Sequence, residues 1–460
     1  MHPILNILIR RAEGDAGVGI YSVCSANELV IQAAMEEGVR LNAPVLIEAT
    51  ANQVNQYGGY TGMTPFEFYQ LVTAIARRAG LDREMLILGG DHLGPLVWQG
   101  EPESGAMEKA ERLIGEYVAA GFTKIHIDAS MPLAGDRPGG RLTDEIIARR
   151  TARLALAAET AYAERLKHVP DAQAPVYVAG SEVPTPGGHA GGEAPTPGGK
   201  VPTPGGDILR SNTSETPDGA ISITPPSRLL ETCAAIKTAF TDAGLGHVLP
   251  RLAAVVVQPG VEFGDDQVIE YESIKARSLT AALPQCGGIV FEGHSTDYQT
   301  RYKLKEMVKD GVAILKVGPA LTFALREAYF ALECIEKELS VDYPSNFSAA
   351  LEESMKKKPE NWNRHYHGNE NELQIKRRFS LSDRCRYYLP DKPVRQAAGF
   401  LVSNINSADV PLSLYSQYLP TVYAAIREGR CATDAESILK MRVKDCIGDY
   451  LYATGFIPAT

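Results

Sequence analysis

Ionisable side chains in this 460-residue sequence gather where short apolar runs end. Gly89-Gly90-Asp91-His92 closes one run, and His126 and Asp128 alternate along the next, with Ser130 after them. Ser181-Glu182, Gln258-Pro259-Gly260-Val261-Glu262 and Glu292-Gly293-His294-Ser295-Thr296-Asp297 close three more, and Lys316 precedes Gly318-Pro319 in another. Two imidazoles with one or two carboxylates suit a divalent transition metal that keeps a position open for substrate. His92, Glu262 and His294 are the expected ligands of a Zn, Mn, Co or Ni ion, with Glu182 available as a fourth. Neighbouring residues at a strand end point in different directions. Asp91 can therefore face a substrate while His92 faces the metal. A carboxylate so placed can take a hydroxyl proton as general base and return it as acid. Glu182 and Asp128 are expected to share that work. Ser22, Gln258, Ser295, Asp297, Lys316 and Gly318 are expected to bind the substrate. Hydroxyls and amides at Ser295, Thr296 and Gly318 lie where barrel enzymes often hold a phosphate. His126 precedes the end of its run and reads as a core histidine.

Chemistry at the ends of runs demands elements that bring those ends together. The runs are Gly19 to Cys24, Pro44 to Ala49, Met85 to Gly89, Lys124 to Asp128, Val176 to Ala179, Ala253 to Val257, Gly288 to Phe291 and Ala313 to Val317. Near-continuous apolar runs suit parallel strands buried on both faces. Helical periodicity fills the segments between them, as in Ala106 to Ala120 and Glu145 to Arg165. Strands alternating with helices predict an α/β fold, a (β/α)8 TIM barrel over residues 1–340; a doubly wound open sheet fits the same pattern. Leu321 to Leu339 reads as an amphipathic helix, and residues 341–460 as a helical C-terminal extension on the barrel or on a partner subunit. Val183 to Gly206 contains PTPGG three times. Pro and Gly at that density sustain neither helix nor strand, so a surface insertion or a lid over the mouth is expected.

Composition excludes several classes. A net charge of −10 argues against a nucleic-acid partner. No apolar run is long enough to span a membrane. Met1 to Arg11 has its arginines after the apolar stretch, the wrong order for a secretion signal. Seven scattered cysteines without a CxxC spacing predict reduced thiols and a cytoplasmic protein. There is no strand–GxGxxG–helix unit, P-loop or nucleophile elbow, so nicotinamide, kinase-type ATP and serine-nucleophile chemistry are unsupported.

The stretches SVCSAN, VLIEATANQVNQYGGYTGM, GGDHLGP, AGFTKIHID, SEVPTPGG, VVQPGVEF, HSTDYQ, KVGPALTFALREA and HYHG, with Ser382 to Tyr388, resemble the family of non-catalytic subunits of class II tagatose-bisphosphate aldolase. The resemblance covers nearly the whole chain. It departs in the length of the PTPGG repeats and at Gly293, where the family pattern leads one to expect Ala. Some members of that family support a separate aldolase chain, and older labels call them tagatose-6-phosphate kinases. Related proteins are metal-dependent C4 epimerases of fructose- and tagatose-type sugars. The resemblance to class II aldolases implies an acid/base at Asp91 and metal ligands at His92 and His294; Glu262 stands where they place another histidine.

In a 2-ketose the C4 hydrogen is not acidic, so inversion at C4 without a redox cofactor is easiest by breaking and remaking C3–C4. The expected function is therefore a metal-dependent C4 epimerase of a ketose or ketose phosphate, an isomerase forming a homo-oligomer. The alternative is a stabilising, catalytically silent aldolase subunit.

Overall fold

The computed structural model describes residues 1–136, 142–180 and 221–458. The PTPGG repeats and Glu182 lie outside the described residues. Eight strands form the barrel: β1 Ile20–Val23, β2 Val45–Thr50, β3 Leu86–Leu93, β4 Lys124–Ile127, β5 Val176–Ala179, β6 Leu252–Val257, β7 Val290–Gly293 and β8 Val312–Val317. All pair in parallel with their neighbours, and β8 closes on β1 through pairs such as Ser22 with Lys316. The closed barrel is the expected architecture, and the open-sheet alternative falls away.

Side chains alternate across each strand. One set, including Ile20, Leu46, Ile87, Val176, Val178, Val256, Val290 and Ile314, forms a buried cluster with Ile4 and Ile7 of the N-terminal helix Pro3–Ala12. That helix is the plug of this cluster. The other set, such as Tyr21, Ile47, Ile125 and Phe291, joins the core shared with the surrounding helices. Those helices include Glu103–Ala120, Asp144–His168 and Pro319–Glu338. Each expected helix is present and extends a few residues beyond its periodic segment. No described helix is long and apolar enough to cross a membrane.

Beyond the barrel the chain is helical and folds back on it. Helix Ala435–Ala453 packs against Glu28–Leu41, Arg301–Lys309 and Pro319–Glu338. It is tied there by Lys440 to Glu36 (2.7 Å), by Arg442 to Glu327 (2.7 Å) and by the Tyr450 hydroxyl donating to Thr296 O (2.9 Å).

Two glycines show how tightly the mouth is packed. A Cβ on Gly94 would lie 1.8 Å from Asp128 O, so the chain after β3 can pass β4 only without a side chain. A Cβ on Gly293 would meet Val312 Cγ1 at 2.6 Å. The glycine at the position where Ala was expected thus permits close contact between β7 and β8. Gly293→Ala should lower stability by about 1–3 kcal/mol, the usual scale of core overpacking. A chemical-denaturation midpoint equal to that of the parent would contradict this packing account.

Candidate metal and substrate site

Four residues converge at the barrel mouth. Asp91, His92, His126 and His294 each offer one ligand atom, and these atoms lie within 4.8 Å of one another. The rings of His92 and His126, and of His92 and His294, have centroids 4.8 Å apart. Each imidazole has a partner that fixes one of its nitrogens. His92 Nδ1 is 3.0 Å from Asp128 Oδ2 and His294 Nε2 is 3.0 Å from Glu292 Oε1. His126 Nε2 donates to Gly180 O at 2.9 Å. Anchoring one nitrogen on a carboxylate or carbonyl selects the tautomer and, at His92 and His294, leaves the other for a metal. His126 Nδ1 accepts from the His92 backbone N–H (3.1 Å) and faces Asp91 Oδ1 at 2.8 Å. Because Nε2 is the donor to Gly180, two electron-rich atoms face each other, and the Lys316 ammonium, which contacts Asp91 Oδ1 and lies 3.4 Å from His126 Nδ1, supplies the cation between them.

The electrostatics follow from burial. Burial works against ionising Asp91, but His92, Lys316 and His126 outweigh it and hold its pKa well below the usual range. Burial also works against protonating His92, yet Asp91 and Asp128 hold its pKa above the ordinary value. For His294, burial and then Lys316 push the pKa down to about 3, so this ring is neutral at physiological pH.

A charged network lies beneath these groups, inside the barrel. Lys124 Nζ is 2.7 Å from Glu48 Oε1 and 2.6 Å from Glu292 Oε2, with all three side chains fully buried. Lys316 Nζ contacts Asp91 and lies 3.0 Å from Glu292 Oε1 and 3.7 Å from Glu48 Oε2. Ser22 Oγ donates to Glu48 Oε1 at 2.6 Å. The network has room because Gly89 has no side chain: a Cβ there would sit 2.7 Å from Glu48 Cγ.

The backbone at the strand ends is strained. His92 has φ +48° and Ser295 has φ +51°, left-handed conformations that cost a non-glycine residue about 1–3 kcal/mol. The Ser295 hydroxyl is buried with no partner among the described residues. Asp297 accepts from the amides of Gly318 (3.0 Å) and Ala320 (2.8 Å), at the start of the helix after β8. Burial still pushes its pKa up to about 6.

A cavity of about 480 Å³ opens over this cluster. Asp91, His92, Asp128, His294, Ser295, Asp297, Lys316 and Gly318 all line it. The other expected residues among those described lie elsewhere. Glu262 is buried on a two-residue strand paired with Val268–Ile269, its Oε1 accepting from Phe263 N at 2.9 Å. It belongs to neither the four-residue group nor the described cavity lining. Gln258 Oε1 accepts from Gly260 N and Val261 N, holding the turn after β6. Ser22 serves Glu48 rather than the cavity. The phosphate position expected at Gly318 is occupied internally, since that amide already donates to Asp297.

The structure adds residues the sequence reading passed over. His126, read there as a core histidine, is wholly buried but belongs to the group. Charges in the middle of apolar strands, Glu48, Lys124 and Glu292, were the available signal for the network. The runs Arg364 to Gly368 and Lys376 to Arg378 read in the sequence as basic segments able to reach over the mouth, and His365 of the first does line the cavity, beside Glu360, Asn361, Arg384, Arg386 and Tyr387. In the second, Lys376 pairs with Asp265 and Arg377 with Glu352 and Glu370, so those two groups are structural.

A closed (β/α)8 barrel with a histidine–carboxylate cluster in its mouth defines the class to which this chain belongs. The profile of the D-tagatose-1,6-bisphosphate aldolase subunit GatZ/KbaZ-like family matches residues 5–455, and the chain belongs to that family. A crystal structure from Sinorhizobium meliloti 1021, named "a probable tagatose 6 phosphate kinase", is 42% identical, with a TM-score of 0.81 over 95% of this chain and all of that one. A fructose-bisphosphate aldolase from Campylobacter jejuni aligns over 89% of this chain and 94% of its own, at 14% identity and a TM-score of 0.38. That distance says nothing about chemistry.

Removing one member of the buried network should be costly. Lys124→Met leaves Glu48 and Glu292 with Lys316 as their one shared cation among the described residues, which also serves Asp91, and should destabilise the fold by about 3–5 kcal/mol. Urea denaturation measures this; a loss below about 1 kcal/mol would show that the network is not a structural unit.

Proposed function

We propose that this chain is a subunit of a D-tagatose-1,6-bisphosphate aldolase and carries a metal-binding, ketose-handling site of its own. The family match over residues 5–455 carries the subunit reading. It places that reading ahead of the free-standing epimerase favoured from sequence alone.

A second reading, a metal-dependent C4 epimerase, has one specific observation behind it. Three imidazoles, each with one nitrogen fixed by a second group, surround an ionised carboxylate in a cavity of sugar size. This donor set fits a divalent ion held by His92 and His294, with His126 in place of the expected Glu262 as third ligand once its Nδ1 releases the His92 amide. Zn, Mn, Co and Ni all accept imidazole ligands. Such an ion would stabilise oxyanion charge on the ketose.

The chain's own residues would then do the following. Asp91 takes the proton of the C4 hydroxyl. The C3–C4 bond breaks, its electron pair stays with C3 as an enolate, and C4 becomes an aldehyde carbon. The aldehyde turns its other face, the bond re-forms, and Asp91 returns the proton to the new C4 hydroxyl. Lys316 holds Asp91 in place, and Asp128 and Glu292 hold the orientation of His92 and His294. The same bond cleavage, with the aldehyde released, is aldolase chemistry.

The purified chain is expected to bind about one divalent ion per subunit. Elemental analysis should find it lost in His92→Ala, His126→Ala and His294→Ala and kept in Glu262→Gln. Full metal content in all three histidine variants would reject the site. Asp91→Asn should keep the metal and lose turnover by a factor on the order of 10² to 10⁴. Two assays separate the readings, one of the chain alone and one with an added aldolase chain, each with ketose deuterated at C4. Epimerisation by the chain alone with the label retained supports the second reading, and label loss rejects C3–C4 cleavage. Activity only with the added aldolase leaves the subunit reading standing.

A further inference from the structure

The wall of the cavity opposite the barrel strands comes from the C-terminal extension, and it is cationic. Arg384 is 5% exposed. Its Nη1 reaches only the carbonyl of Asn361 at 3.3 Å, and its Nε and Nη2 are buried with no acceptor among the described residues. Arg386 donates through Nη1 to Ser382 O (2.6 Å) and Asp383 O (3.0 Å), and through Nη2 to the Tyr387 hydroxyl (2.9 Å). The carboxylate just before them in sequence is unavailable. Asp383 accepts from Arg326 Nε (3.1 Å) and the Thr322 hydroxyl (2.6 Å), anchoring the turn to the helix after β8. His365 lies on the same wall, and the one acid there, Glu360, is exposed. Tyr387 packs against Tyr60 of the loop after β2, with ring centroids 5.1 Å apart, fixing this wall across the mouth.

Two buried guanidiniums whose hydrogen bonds go to carbonyls and a phenol, with no carboxylate bonded to either among the described residues, are costly beside a cavity unless an anion completes them. Burial lowers the pKa of Arg384 to about 10, with Arg386 adding to it and the more distant Asp265 not making up the loss. A phosphate monoester carries close to two negative charges and presents oxygens suited to the guanidinium fork. The helix start after β8, the usual barrel alternative, is already filled by Asp297.

We propose that Arg384 and Arg386 form a phosphate subsite in the C-terminal extension, which holds the phosphorylated end of the sugar over the barrel site. The identity of the ligand as a sugar rests on the ketose reading above; the anion site itself does not.

The experiment uses the full chain stripped of metal by chelation, so neither metal nor turnover enters. Inorganic phosphate should raise the melting temperature, and fructose 6-phosphate should bind at least about tenfold more tightly than fructose by calorimetry. Arg384→Met should abolish the phosphate shift and equalise the two sugars. Because the charge it removes is bonded to no carboxylate, its own melting temperature should stay level or rise. Arg384→Lys, which keeps the charge but not the fork, should retain part of the preference and covers the case of a misfolded Met variant. No phosphate shift in the parent, an equal shift in the variants, or a large fall in the melting temperature of well-expressed Arg384→Met overturns the proposal. Tight binding of galacturonate with no gain from phosphate overturns it in favour of a carboxylate site. If phosphate binds as expected while metal binding and turnover both fail, the subsite stands and the ketose reading falls.

Discussion

Everything at the mouth of this barrel depends on a buried network of opposite charges. Lys124 bridges Glu48 and Glu292, and Lys316 reaches from Glu292 and Glu48 to Asp91. None of these charges could sit in a barrel interior alone, because desolvation would neutralise or expel it. Together they fix one another. Glu292 in turn holds His294, and Asp91 faces His126. The network thus sets the tautomers and orientations above it. Its members come from β2, β3, β4, β7 and β8, so closing the barrel and assembling the site are a single event.

Position is then refined by local strain and by close approach. His92 and Ser295 occupy left-handed backbone, and Gly94 lets the chain pass over Asp128 O. Such conformations persist only where the surroundings over-determine them. Here strand pairing below and the returning extension above supply that constraint. The Tyr298 hydroxyl donating to Leu381 O and the Ser380 hydroxyl donating to Asp265 tie the extension to the loops after β7 and β6. The extension is therefore part of the cavity rather than an appendage to it.

The fold was largely legible in the sequence for a physical reason. Parallel strands buried on both faces are written as apolar runs, and all eight were recognisable as such. Asp91, His92 and His294 could be placed together at the mouth because they follow such runs. Placement was not legible where the chain departs from that pattern. His126 lies inside a strand, where a polar residue resembles a core histidine until its partners are known. Glu262 follows β6, but the chain turns into a short ribbon there and the carboxylate bonds the next amide. Arg384 and Arg386 are far along the chain from the barrel strands, and no local spacing could link them to the mouth.

The aldolase-subunit and epimerase readings differ in physiology more than in chemistry. A barrel that served only as a scaffold would gain from an apolar interior, since replacing a buried ion network by packed hydrophobic groups is often neutral or stabilising by about 1–4 kcal/mol. This chain instead places Glu48, Lys124, Glu292, Lys316 and Asp91 inside the barrel and strains the backbone around them. Local rules broken together at one place, with each breach serving the orientation of a histidine or carboxylate, are the signature of a site that handles a ligand. A subunit with such a site can meet the same sugar as its partner, because breaking C3–C4 is common to releasing an aldehyde and to inverting C4. On the function proposed above, whether the aldehyde leaves or recombines would be decided by how firmly the far end of the sugar is held. The proposed phosphate subsite would give that hold to the extension that roofs the cavity, not to the barrel that carries the histidines.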